Sequence, residues 1–76
     1  MFNEIDIHGL YVSEAKNCLD AYLNKLPKGI HEVSVIHGYQ HGNALASFVR
    51  NQYTHKKCIR KMRSLNQGET ILVLKD

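Results

Sequence analysis

The chain has 76 residues, with 10 Lys+Arg, 7 Asp+Glu and 5 His, for a formal net charge of +3. One compact domain fits this length, and a second catalytic domain or a large cofactor cradle does not. Apolar residues make up 43%, enough for a small packed core and too many for a disordered chain. No run approaches the roughly 18 apolar residues of a membrane span, and the first residues lack the basic, apolar start of a signal peptide. The expectation is a cytoplasmic protein with no membrane partner. Cys18 and Cys58 lack the spacing of a redox or zinc motif and are expected to be buried, reduced thiols.

Phe2 to His8 predicts a strand, with Ile5 and Ile7 alternating against Glu4, Asp6 and His8. Gly9 ends it. A helix follows over about Val12 to Leu26, with Ala15, Cys18, Leu19, Tyr22, Leu23 and Leu26 at helical spacing. Ser13 or the residues just before it are expected to cap its start, with Lys16 spoiling a capping box. Pro27 and Gly29 stop it. His31 to His37 predicts a second strand, apolar enough at Val33, Val35 and Ile36 to lie inside the sheet. A Gly38–Gly42 loop leads to a second helix over about Asn43 to Thr54. Cys58 to Leu65 is a third strand, Asn66-Gln67-Gly68 a tight turn, and Thr70 to Leu74 a fourth strand. The order β-α-β-α-β-β predicts an α/β two-layer sandwich: a mixed four-stranded sheet, two helices on one face, the other face partly open.

Charge is uneven along this order. Met1 to Glu32 carries five acids and three lysines; Val33 to Gly68 carries no acid and six cations, Arg50, Lys56, Lys57, Arg60, Lys61 and Arg63. Such asymmetry points to a polyanion, most simply DNA or RNA, although lysines on an exposed strand also deter unwanted pairing. Alternation puts Lys61 and Arg63 on one face of the third strand and Arg60 on the other.

Asp6 and His8 lie two apart at the C-terminal end of the first strand, and His37 ends the second. In open α/β sheets the crevice beyond such strand ends is the usual ligand site. An Asp can orient a His, which then moves a proton at neutral pH, activating water or a ribose hydroxyl for phosphodiester cleavage. Asp6, His8 and His37 are the candidate catalytic residues; the alternative is that Asp6 and His8 are a strand-end pair without chemistry. In the loop, Gly38 and Gly42 would let backbone approach a phosphate, and Tyr39 and His41 could stack on a base. An ordinary βα turn would need the same glycines. A divalent metal held by Asp6, His8, His37 and His41 is a third reading; no cofactor is required by the sequence. His31 and His55 are expected to be exposed and without a role.

Together these motifs resemble the small MutS-related (Smr) domain family. The resemblance is carried by Ile5-Asp6-Ile7-His8-Gly9-Leu10, Ser13-Glu14-Ala15, Val35-Ile36-His37-Gly38, Gly42 with Ala44-Leu45, and Gly68-Glu69-Thr70-Ile71-Leu72-Val73-Leu74. It spans nearly the whole chain as a single domain, residues 1–76. It implies an α/β sandwich, binding to DNA or RNA and, for some members, nicking or endonuclease activity, with the D-x-H motif, here Asp6 and His8, as presumed catalytic element. The family's H-G-x-G-x-G loop is matched by His37, Gly38 and Gly42, with Gln40 where the middle glycine would stand. The chain resembles a stand-alone version, without a Walker loop. The leading expectation is a nucleic-acid-binding domain with DNA-nicking or RNA-cleaving activity, with Gly38, Gly42, Lys56, Lys57, Arg60, Lys61 and Arg63 on the phosphates. The alternatives are a non-catalytic module for structured nucleic acid and a protein-interaction adaptor using the open sheet face. Oligomeric state is left open.

Overall fold

The computed structural model describes residues 3–39 and 43–75. Four strands form one mixed sheet in the order β1-β2-β4-β3, where β1 is Glu4–Asp6, β2 Glu32–Ile36, β3 Cys58–Arg63 and β4 Glu69–Leu74. β1 runs parallel to β2; β4 is antiparallel to both β2 and β3. The α/β two-layer sandwich with a mixed sheet is therefore the fold the sequence predicts. β2 is an interior strand, and Val33, Ser34 and Val35 are all buried.

Helix α1, Val12–Lys25, lays Ala15, Leu19 and Leu23 on the sheet, each fully buried. Its start differs from expectation. Tyr11 is the N-cap, and its backbone N–H donates to Glu14 Oε1 at 2.9 Å. Glu14, not Lys16, occupies the third helical position, so half of a capping box is present after all. Cys18 is a correction: it is exposed rather than buried. It follows Ala15 by three positions, at the solvent margin of the stripe. Cys58 is half-buried, and burial raises its thiol pKa, which keeps it protonated.

The second helical segment is shorter and wider than predicted. Helix α2 covers Ala44–Ser47 and continues as a π turn over Phe48–Gln52, closed by Tyr53 N–H to Phe48 O at 2.7 Å. Phe48, Val49 and Tyr53 enter the core with Ile7, Leu72 and Leu74. The Tyr53 hydroxyl emerges from that core to donate to Asp20 Oδ1 at 2.7 Å, tying the second helical segment to α1. Burial and this bond push the Tyr53 pKa well up, and the same bond helps hold Asp20 low. Tyr53→Phe keeps the ring and loses the tie. It should lower unfolding free energy by about 1 kcal/mol, read by urea denaturation.

The opposite sheet face is open. Ile36, Ile71 and Val73 are half-buried there, and Met62 is exposed. Glu69 bridges three strands on that face: its carboxylate accepts from Ser34 on β2 and from Ser64 just beyond β3. Those two bonds hold its pKa below the ordinary value. Among the described residues, no helix is long and apolar enough to cross a membrane.

Candidate functional site

The register places three chain ends together. Asp6 pairs with Ile36, and Ile36 with Glu69, so the exits of β1 and β2 and the entry to β4 share one edge. The join is made by backbone. His37 and Gly38 N–H both donate to Gly68 O, at 2.9 and 3.0 Å, and Ile7 N–H donates to Ile36 O at 2.8 Å. Two positions require glycine. Gly38 has φ +74°, and a Cβ on Gly68 would meet Gly38 Cα at 3.2 Å. Here the chains touch through backbone because neither carries a side chain.

Beyond this edge opens a cleft of about 630 Å³, lined by His8, Gly9, Leu10, Tyr11, Ile36, His37, Gly38, Tyr39, Ala44, Leu45, Asn66 and Gly68. Its size lies within the roughly 300–1,000 Å³ of small-molecule sites. A smaller hollow of about 340 Å³ lies on the open sheet face, lined by Asn3, Gly29, Ser34, Glu69 and Ile71 among others, and includes none of Asp6, His8 and His37.

Asp6 meets His8, one of the residues that line the cleft. His8 lies in the turn beyond the strand rather than within it, yet the pair closes. Asp6 Oδ1 accepts from the His8 backbone N–H at 3.0 Å and from ring Nδ1 at 2.5 Å. The backbone bond is an Asx-type turn, which fixes where the ring starts. The ring bond fixes the tautomer: Nδ1 carries the proton and Nε2 offers its lone pair. Both side chains are exposed. The His8 hydrogen bond holds the Asp6 pKa below its ordinary value, so the carboxylate is charged throughout the neutral range.

His37 is placed differently. It lines the same cleft but is only 4% exposed. Its Nδ1–H donates to Gly38 O at 2.9 Å, and its Nε2 accepts from the Thr70 hydroxyl at 2.9 Å. Thr70 Oγ1 in turn accepts from Arg50 Nε at 2.9 Å. Arg50 also reaches Gln67 O, at 3.2 Å, on the turn between β3 and β4. Both His37 nitrogens are thus engaged, and its one available lone pair, on Nε2, is taken by Thr70. Its part in the geometry is to hold the Gly38 turn.

Burial holds the His37 pKa below the ordinary 6.5, with the nearby Arg50 cation acting the same way. The stability consequence has a definite sign. Below about pH 6.5 the unfolded chain takes up a proton that folded His37 resists, so unfolding gains. The His37 contribution is full above that pH, falls as pH drops towards the depressed folded value, and levels off below it. His55, also depressed by burial, adds in the same direction. Urea midpoints should be lower at pH 5 than at pH 7.5. His55→Gln should retain part of the drop, which isolates the share of His37.

The predicted phosphate-binding set is divided by the structure. Lys57 Nζ lies 2.6 Å from Leu23 O and 3.4 Å from Leu26 O, where it satisfies carbonyls at the end of α1. Lys61 Nζ donates to Tyr53 O, and burial lowers its pKa. Lys56, Arg60 and Arg63 are exposed. Arg63 pairs with Thr70 and so lies at the same end of the sheet as the cleft, on the outer strand, whereas Lys56 precedes Cys58 at the other end of β3. Gly38 N–H is directed at Gly68 O, so Gly38 contributes its missing side chain beside His8 rather than a free amide. Tyr39 is 54% exposed on the cleft. Gln40, His41 and Gly42 lie outside the described residues. Among the described residues, no group of three or more His, Cys, Asp or Glu converges as a metal centre. His55 is half-buried, with Nε2 bonded to Asn24 Oδ1 at 2.9 Å.

Thr70, Arg50 and Tyr11 went unassigned in the sequence. Thr70 could have been found: alternation with Leu72 and Leu74 puts it on the buried side, where a hydroxyl must have a partner.

The profile of the Smr domain matches residues 5–71. The chain belongs to the Smr domain family. In family terms the Smr domain is a nucleic-acid-binding and endonuclease-type module. A similar solved structure is the crystal structure of the Smr domain of Thermus thermophilus MutS2, with a TM-score of 0.84 and 24% identity. The match covers 97% of this chain and 99% of that one, and it supports the fold from one end to the other. A search of the curated proteins found no match. The matched span of this Smr domain contains the Asp6–His8 pair, the Gly38 turn and the His37–Thr70–Arg50 network.

Proposed function

We propose that this Smr domain binds nucleic acid and cleaves a phosphodiester bond, with His8 as the proton-transfer group. The supporting observation is the Asp6–His8 pair: a carboxylate fixing through Nδ1 the ring of a histidine that lines the cleft. Nε2 takes the proton from the attacking oxygen, water or a ribose hydroxyl. That oxygen bonds to phosphorus, the bond to the leaving oxygen breaks, and a proton returns to it from the imidazolium or from solvent. Asp6 keeps the working tautomer and stabilises the imidazolium. His37 is a positioning residue, and Arg63 is the exposed cation of the basic strand at this end of the sheet. The same proton transfer serves DNA with water as nucleophile and RNA with its own ribose hydroxyl.

A second reading is binding without cleavage. It is favoured by the engagement of both His37 nitrogens, which leaves His8 as the one imidazole for chemistry among the described residues lining the cleft. One experiment separates the two. Supercoiled plasmid and structured RNA are incubated with the wild type and with His8→Ala, with and without Mg²⁺. Cleavage by the wild type alone supports the enzyme. Equal cleavage by both proteins places the activity elsewhere, and salt-dependent binding with no cleavage supports the binding module.

A further inference from the structure

The cleft has the wrong lining for a phosphate alone. Among its described lining residues there is no lysine and no arginine; Leu10, Tyr11, Ile36, Tyr39, Ala44 and Leu45 make most of the wall, with His8, His37 and Asn66 as its other side chains. An anion would find little to offset its lost hydration there. A flat, weakly polar group would lose little and gain contact.

Two tyrosines open onto this space, and both are unusually exposed, Tyr11 at 79% and Tyr39 at 54%. They come from different turns, after β1 and after β2. Both turns are fixed by hydrogen bonds of the main chain, to a side chain in the first and to backbone in the second. Tyr11 N–H donates to Glu14, and its carbonyl accepts from Ala15 N–H at 2.9 Å. Tyr39 follows Gly38, whose N–H is held by Gly68. Aromatic platforms mounted on rigid turns cost little entropy to use.

From these observations we infer that the cleft holds an unpaired nucleobase stacked on Tyr11 and Tyr39, so that the substrate of the adjoining site is a single strand. This rests on the proposed phosphodiester reading, because His8 lines the same cleft and would face the sugar–phosphate linkage next to a seated base. A base inside a duplex presents its faces only to its neighbours and offers none to a tyrosine. An unpaired base offers its π face whatever its identity, so recognition is tolerant of sequence. The charge distribution agrees: with no lysine or arginine among the described lining residues, the interior takes the base and the linkage stays beside His8.

The test is binding of a phosphorothioate-linked single strand, which resists cleavage, against its duplex and an abasic strand of equal length. Fluorescence anisotropy gives affinity, and tyrosine emission reports stacking, since the chain has no tryptophan. The base-bearing strand should bind about tenfold or more tightly than either competitor and quench tyrosine emission. Tyr11→Ala and Tyr39→Ala should each weaken it about tenfold and leave abasic binding unchanged, while Tyr11→Phe should bind as the wild type. Circular dichroism verifies that each variant is folded. Equal binding of base-bearing and abasic strands, or alanine variants with unchanged affinity, would overturn the inference. If His8→Ala still abolished cleavage in that case, the acid–base reading would survive. Base selectivity without any cleavage would support the inference and overturn the catalytic reading.

Discussion

His8→Ala is expected to reduce the rate of strand cleavage at neutral pH by about 10²–10⁴-fold, the range that a positioned general base supplies. The geometry argues for the whole ring rather than its charge. Nδ1 is committed to Asp6 at 2.5 Å, so proton transfer falls to Nε2, and alanine removes it. Asp6→Asn gives a finer result. The amide oxygen still accepts from the His8 backbone N–H and from Nδ1–H, so the turn and the tautomer are kept. What is lost is the negative charge that stabilises the imidazolium. Because both side chains are exposed, water screens part of that charge. The loss should be smaller than for His8→Ala, about tenfold to a hundredfold. Initial rates on one labelled oligonucleotide, with circular dichroism to verify folding, decide it. An Asp6→Asn rate equal to wild type would reduce the carboxylate to a builder of the turn. A His8→Ala rate equal to wild type would remove the site.

Most of the fold was legible because its signals are local. The period-two alternation in Ile5–Ile7 and Thr70–Leu74 and the helical spacing of Ala15, Leu19 and Leu23 need no knowledge of distant residues. The Asp6–His8 pair was legible for the same reason: two positions of separation bring the side chains together in a strand or in an Asx-type turn. Unread were the pairings that cross the chain. Lys57 and Leu23 are 34 positions apart, and nothing in a run of lysines says that one ammonium closes a helix. Lys61 looks like a phosphate contact in sequence and is bound to Tyr53 O in the fold. His37 invited a catalytic role because it mirrors His8 at a strand end. The difference is burial, which is set by Thr70 and Arg50, 33 and 13 positions away. Cys18 misled for another reason: a helical stripe has edges, and composition alone does not say where solvent begins.

Thr70→Val should show how much of the site's rigidity comes from that network. Valine matches threonine in shape and suits a strand, so packing and propensity change little. The hydroxyl, however, serves two partners, donating to His37 Nε2 and accepting from Arg50 Nε. Its removal leaves the buried His37 nitrogen without a donor. Arg50 is half-buried and can turn towards water, so most of the penalty falls on His37. The expected loss is about 1–3 kcal/mol. For a domain of this size that is a fall in Tm of roughly 5–20 °C, measurable by calorimetry. Thr70→Ser keeps the hydroxyl and should lose about 1 kcal/mol, the cost of a missing methyl. Equal losses for serine and valine would mean that packing, not the hydrogen-bonded chain, carries the position. If valine alone is costly, it should also loosen the Gly38 turn that His37 holds by its other nitrogen. The cleft beside His8 would then lose its fixed wall, and cleavage should fall further than His8's own unchanged chemistry accounts for.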